Sequence, residues 1–137
     1  MKRVFLDASA LVPMAAEWDQ WRPRFQEALL HLRRSGPVDL ITTNWTLYEA
    51  LAVAQRRGKR SALNLFRLAS SGVEVVPVTE AVEAEALRRF LAWHDKTASV
   101  VDHANALVAS EEGCDAIISF DADFVPLATA AGMRLLS

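Results

Sequence analysis

Short apolar runs alternating with longer stretches of helical spacing constrain this chain more than any other feature. The runs cover residues 3–6, 38–42, 74–78, 116–119 and 133–136, each too short for a helix and most bounded by Gly, Pro or Asp within two residues. Between them, 21–34 carries Phe25, Leu29 and Leu32 on one helical face, and 45–57 carries Leu47, Leu51 and Ala54. The stretch 61–70 has Leu65 and Leu68, 80–94 has Ala84, Leu87 and Leu91, and 100–111 has Ala104, Leu107 and Val108. Near-continuous apolar strands alternating with helices predict an α/β protein: a three-layer α/β/α sandwich around a central parallel sheet of four or five strands. Ser35-Gly36-Pro37 and Ser70-Ser71-Gly72 read as turns that stop helices. With no repeat, low-complexity stretch or linker, residues 1–137 read as one domain.

Several classes are set aside by simple counts. No apolar run approaches the roughly 18 residues of a membrane-spanning helix, and Asp7 interrupts the N-terminus too early for a secretory leader, so a cytoplasmic protein is expected. Cys114 is the sole cysteine, which excludes an intrachain disulfide and a cysteine-rich zinc site; it reads as a small buried residue at the mouth of a strand. Fifteen basic and seventeen acidic residues leave a net charge of −2, unlike the basic footprint of a protein that grips nucleic acid by charge alone. A nucleic-acid enzyme of this balance needs its acids neutralised locally, as bound metal ions do.

The acids fall where such a site belongs. Asp7 ends the first strand, and Asp121 and Asp123 follow the fourth in Ser119-Phe120-Asp121-Ala122-Asp123-Phe124. Open parallel sheets bind ligands at the carboxyl ends of their strands, so both strands release carboxylates at the functional edge. Glu49 lies about two turns into the helix after Thr42-Thr43-Asn44, and Asp102 opens an apolar helix with Asn105 on the same face at i+3. Carboxylates brought together in apolar surroundings repel one another, and Mg²⁺ or Mn²⁺, hard ions that take oxygen ligands, would relieve this. Singly, Asp7, Asp102 and Asp121 also read as helix N-caps, and Glu49 as a surface acid. The metal reading rests on all four together.

In that combination the sequence resembles the PIN-domain family, and within it the VapC toxins of type II toxin–antitoxin pairs. The resemblance runs in order through Val4-Phe5-Leu6-Asp7-Ala8-Ser9-Ala10-Leu11-Val12, Thr42-Thr43-Asn44-Trp45-Thr46-Leu47-Tyr48-Glu49, Asp95-Lys96-Thr97-Ala98-Ser99-Val100-Val101-Asp102 and Ser119-Phe120-Asp121-Ala122-Asp123-Phe124. It implies Mg²⁺- or Mn²⁺-dependent endoribonuclease activity, with Asp7, Glu49, Asp102 and Asp121 as catalytic and metal-holding acids. Asp123, Ser9 and Asn105 are auxiliary candidates. It further implies an RNA substrate, a homodimer and a cognate antitoxin inserting a basic side chain near the acids. The apolar surface around Trp18, Trp21 and Phe25 is the expected antitoxin contact. Asn44, Trp45 and His103 depart from the expected pattern without removing a ligand.

Other residues allow two readings. Arg56, Arg57, Lys59 and Arg60 either hold RNA phosphates or form a solvated turn after a helix C-terminus, and Arg22, Arg24, Arg33 and Arg34 share that ambiguity. Trp18, Trp21, Trp45 and Trp93 fit packing better than base stacking, and His31, His94 and His103 have no metal-triad spacing. A haloacid-dehalogenase-like phosphatase needs a second acid two residues after Asp7, where Ser9 stands; a receiver domain needs an Asp ending the third strand, where Val76-Pro77-Val78 stands. A PIN fold that binds RNA or protein without turnover is the remaining alternative.

Overall fold

The computed structural model describes residues 1–94 and 97–137; Asp95 and Lys96 of the third motif lie outside the described residues. Five strands form one parallel sheet: β1 (Lys2–Leu6), β2 (Val38–Thr43), β3 (Val73–Val76), β4 (Ala116–Ile118) and β5 (Arg134–Leu136), in the order β3-β2-β1-β4-β5. Helices α1 (Ala8–Ala15), α2 (Arg22–Arg33), α3 (Asn44–Gln55), α4 (Lys59–Gly72), α5 (Glu80–Ala92), α6 (Val100–Glu111) and α7 (Val125–Ala130) cover it. The expected sandwich is the observed one.

Alternation along the strands divides the core. Val4, Leu6 and Ile118 pack with α1 to α4 around Leu11, Phe25, Ala50 and Leu65. Phe5, Ile41 and Ile117 face the other way, onto α5, α6 and α7 around Ala86, Ala104 and Leu127. Each large side chain buried this completely contributes about 1.5–3 kcal/mol. Because β1 lies between β2 and β4, the chain crosses the sheet after β3, and the crevice above β1 is the switch point where such sheets take ligands.

Three features differ from the sequence expectation. α1 has no helical period to read, since Ala10, Leu11, Val12 and Pro13 are buried in succession; the Asp7 carboxylate caps it. α7, six residues long, follows a 3-10 turn, Ala122–Phe124. Ser70-Ser71-Gly72 ends a helix as expected but is not a turn: the three residues are the last of α4, which runs directly into β3. The Ser71 hydroxyl bonds back to the Arg67 and Leu68 carbonyls, both at 3.2 Å, inside the last turn of that helix.

Candidate active site

Asp7 sits at the centre of a hydrogen-bonded knot tying β1 to β4. One carboxylate oxygen, Oδ1, accepts from the Ser9 hydroxyl at 2.6 Å and the Ala10 N–H at 3.2 Å; the other accepts from the Ser119 hydroxyl. Ser9 Oγ also accepts from the Phe120 N–H at 2.8 Å, and Ser119 Oγ from the Asp121 N–H at 3.2 Å. Asp7 is only 4% exposed. Burial pushes its carboxyl up to about 6, against the downward pull of the Ser119, Ser9 and Ala10 bonds and with a further push from Asp102.

Asp102 is fixed by a reciprocal cap on α6. The Ser99 N–H donates to Asp102 Oδ2 at 2.9 Å while Ser99 Oγ accepts from the Asp102 N–H at 3.1 Å. Ser99 is thus the N-cap, and Asp102 answers it from the third helical position. Desolvation raises the Asp102 carboxyl, the Ser99 bonds lower it, and Asp121 raises it again. Glu49, on α3, is also raised, by desolvation and then by Asp102 and Asp121. Asp121 caps the 3-10 turn, accepting from the Asp123 N–H at 2.9 Å.

All four acids line one cleft of about 290 Å³, together with Ser9, Asn105, Asp19, Gln20 and Trp21. Asn105 is 1% exposed; its Oδ1 accepts from Thr46 Oγ1 at 2.7 Å and Thr43 Oγ1 at 3.3 Å, which turns its amide nitrogen away from those threonines. Desolvation raises Asp7, Asp102 and Glu49 together and repulsion between the acids adds to it, an environment that favours a cation. Among the described residues, however, no three His, Cys, Asp or Glu side chains converge closely enough to enclose an ion. The oxygen donors suit Mg²⁺, which keeps several waters and is commonly held through one or two carboxylates; a fully coordinating protein cage is not what this cleft offers.

Several expected residues fall elsewhere. Asp123 is exposed and outside the cleft lining, lending Asp121 its backbone N–H rather than its carboxylate. His103 faces away from the acids, 2% exposed and packed edge to face with Trp93, and its burial lowers the imidazole pKa. Arg56, Arg57 and Gly58 form the exposed turn joining α3 to α4, where Gly58 adopts a φ of 109°. Lys59 and Arg60 open α4, so the helix dipole disfavours them there instead of supporting them. Arg57 lies over the Trp18 ring, 4.6 Å from its centroid, beside the 19–21 segment of the cleft wall.

The surface expected around Trp18, Trp21 and Phe25 is exposed at Trp18 but not at Phe25. Phe25 is 3% exposed, because it belongs to the periodic core face of α2. Trp21 is half-buried, stacked on Phe120 at 5.3 Å. The apolar groove of that region, about 530 Å³, runs between α2 and α4 past buried Phe25, Leu29, exposed Leu30 and exposed Leu68. Arg22 is structural, donating to the carbonyls of Pro13 and Met14 at the end of α1. Cys114 is half-buried, with its thiol pushed up to about 11 by burial, which disfavours the thiolate.

The PIN domain family model matches residues 4–129. The chain belongs to the PIN domain family. Among solved structures it is similar to VapC20 of Mycobacterium tuberculosis, described as a sarcin-ricin loop cleaving toxin, with 28% identity, 95% of each chain covered and a TM-score of 0.76. The fold is also that of FitAcB from Neisseria gonorrhoeae (15% identity, 98% of this chain and 96% of that one, TM-score 0.64) and of PAE2754 from Pyrobaculum aerophilum (20%, 92% and 84%, TM-score 0.61). No curated protein sequence matches it significantly. The VapC-like motifs of the sequence therefore sit in a PIN fold similar to that of a VapC toxin.

Sequence reasoning missed Ser119, Thr43 and Thr46, the hydroxyls that hold Asp7 and Asn105. A signal was present: Thr43 and Ser119 stand at the carboxyl ends of strands, the edge that carries the site.

Proposed function

We propose that the protein is a metal-dependent endoribonuclease, the toxin of a toxin–antitoxin pair, hydrolysing RNA phosphodiester bonds with Mg²⁺ or Mn²⁺. One observation carries this reading: Asp7, Glu49, Asp102 and Asp121, from four separate segments, line one cleft at the switch point of the sheet. Asp7, Asp102 and Asp121 are the residues that would hold the metal, with Glu49 acting through water. When bound, the ion supplies a water of lowered pKa and neutralises charge on the phosphate. Ser9 and Ser119 keep the Asp7 carboxylate oriented, and Ser99 does the same for Asp102. Glu49, with no hydrogen-bond partner among the described residues, orients the attacking water and takes up its proton.

RNA phosphates approach over Arg56, Arg57, Lys59 and Arg60, of which Arg57 lies over the Trp18 ring. The likeness to VapC20 supports a structured RNA as substrate, and the sarcin-ricin loop is the first to try. An antitoxin would lay an apolar segment in the groove between α2 and α4; a homodimer is the family expectation.

Incubation of purified, antitoxin-free protein with total cellular RNA and with a sarcin-ricin loop RNA, in Mg²⁺, Mn²⁺ or EDTA, tests the proposal. Discrete fragments that require metal and disappear in Asp7→Asn are expected. Intact RNA under every condition would leave a PIN fold that binds without turnover.

A further inference from the structure

A second cleft, of about 310 Å³, opens on the opposite side of α6 and shares no lining residue with the acidic one. Asp102 and Asn105 of α6 face the acids, while His103 and Ala106 face this cleft with Trp93, Leu127, Arg88 and Arg89. His103 is 2% exposed, and its Nε2 and the Trp93 Nε1–H are both buried with no hydrogen-bond partner among the described residues. Buried polar atoms are overwhelmingly paired in native proteins, so two orphans beside one cleft call for a partner that the described residues do not supply. Their rings meet edge to face with centroids 5.3 Å apart.

We propose that this cleft binds a single nucleotide, its base against Trp93 and His103 and its phosphate at Arg88 and Arg89. The indole N–H is a donor and the imidazole Nε2 a donor or acceptor by tautomer, a pair that suits the edge of a heterocyclic base. Ala106 and Leu127 give the base an apolar wall. At the mouth, Arg88 and Arg89 share one carboxylate, Glu85, which leaves a positive charge for a phosphate. A bridging water would satisfy the orphans, yet it needs only about 30 Å³, whereas ligand sites begin near 300 Å³. The nucleotide is either free or a unit of bound RNA; only the second source rests on the ribonuclease reading.

The full-length protein in EDTA, labelled with ¹⁵N, gives an indole N–H signal for each of its four tryptophans, with Trp93 assigned by its loss in Trp93→Phe. Titration with each mononucleotide should move the Trp93 signal saturably, and a short oligonucleotide carrying the preferred base should bind more tightly if RNA is the source. The matching nucleoside should bind about tenfold more weakly, and the Arg88→Gln/Arg89→Gln variant should erase that difference. By calorimetry, Trp93→Phe should weaken nucleotide binding about threefold to tenfold. A Trp93 signal unmoved by all four mononucleotides overturns the proposal. So does movement with inorganic phosphate alone, or with protein concentration alone, the latter marking an interface between copies. Mononucleotides have no internal bond for an endoribonuclease to cut, so this outcome is independent of whether RNA is cleaved.

Discussion

At neutral pH the folded protein carries a buried charge at Asp7, and Asp7→Asn measures what that costs. The carboxyl gives up its proton near 3.8 in the unfolded chain and near 6 in the folded one. Between these values folding takes up a proton, so the favourable contribution of the neutral form is complete below about 3.8 and lost as pH rises through 6. Above that, at ~1.36 kcal/mol per pKa unit, the ionised group costs about 3 kcal/mol. Asparagine keeps an oxygen at Oδ1 for Ser9 and Ala10, and Ser119 can accept from its amide while turning its hydroxyl hydrogen toward Ser9 Oγ, 3.5 Å away. Losing the charge assistance of these bonds offsets part of the gain, leaving about 2 kcal/mol, or a rise in Tm of roughly 5–10 °C.

Urea unfolding in EDTA at pH 7.5 and pH 4.5 is the assay. The variant should be more stable than wild type at pH 7.5, with an unchanged urea slope, and most of the advantage should vanish at pH 4.5. Added Mg²⁺ should then stabilise wild type, by RT ln(1 + [Mg²⁺]/Kd), and stabilise the variant less. A variant no more stable than wild type at pH 7.5 would refute the electrostatic reasoning. Equal stabilisation of both by Mg²⁺ would remove Asp7 from the metal site.

Two further substitutions probe the supporting residues. Asn105→Ala strands the fully buried Thr43 and Thr46 hydroxyls without their acceptor, and should lower unfolding free energy by about 2–3 kcal/mol, seen as a lower urea midpoint at constant slope. Ser99→Ala should cost about 1 kcal/mol of stability and reduce RNA cleavage by releasing Asp102, with Ser99→Thr restoring both. Cleavage undiminished in the alanine variant would show that Asp102 needs no such restraint.

The parts of the fold visible in the sequence are those whose local chemistry and tertiary role agree. Strands buried on both faces must be continuous apolar runs, and Val4, Phe5 and Leu6 are readable on that ground alone. α1 is buried around most of its circumference and contains Pro13, so it has neither the period nor the composition of a surface helix. Phe25 shows the opposite case: its spacing with Leu29 and Leu32 already assigned it to the core, and the expectation of an exposed contact there set a family-based argument against a periodic one. Periodicity won because a ring of that size gains more from burial than from a solvated face.

The acids were readable only in combination, since Asp7 and Asp121 taken singly have a structural reason to stand where they do, as caps; their support was not, because a serine or threonine is compatible with almost any local setting. The structure shows why the two belong together. β2 ends in Thr43, β1 and β4 are followed directly by Asp7 and Ser119, and a parallel sheet leaves backbone groups unpaired at that edge. Hydroxyls that close the edge are also the donors that keep an ionised Asp7 in an apolar crevice: Ser119 bonds both the Asp7 carboxylate and the Asp121 N–H. Strand ending, helix capping and carboxylate positioning are therefore one arrangement, and removing any hydroxyl in it should disturb the site before it disturbs the fold.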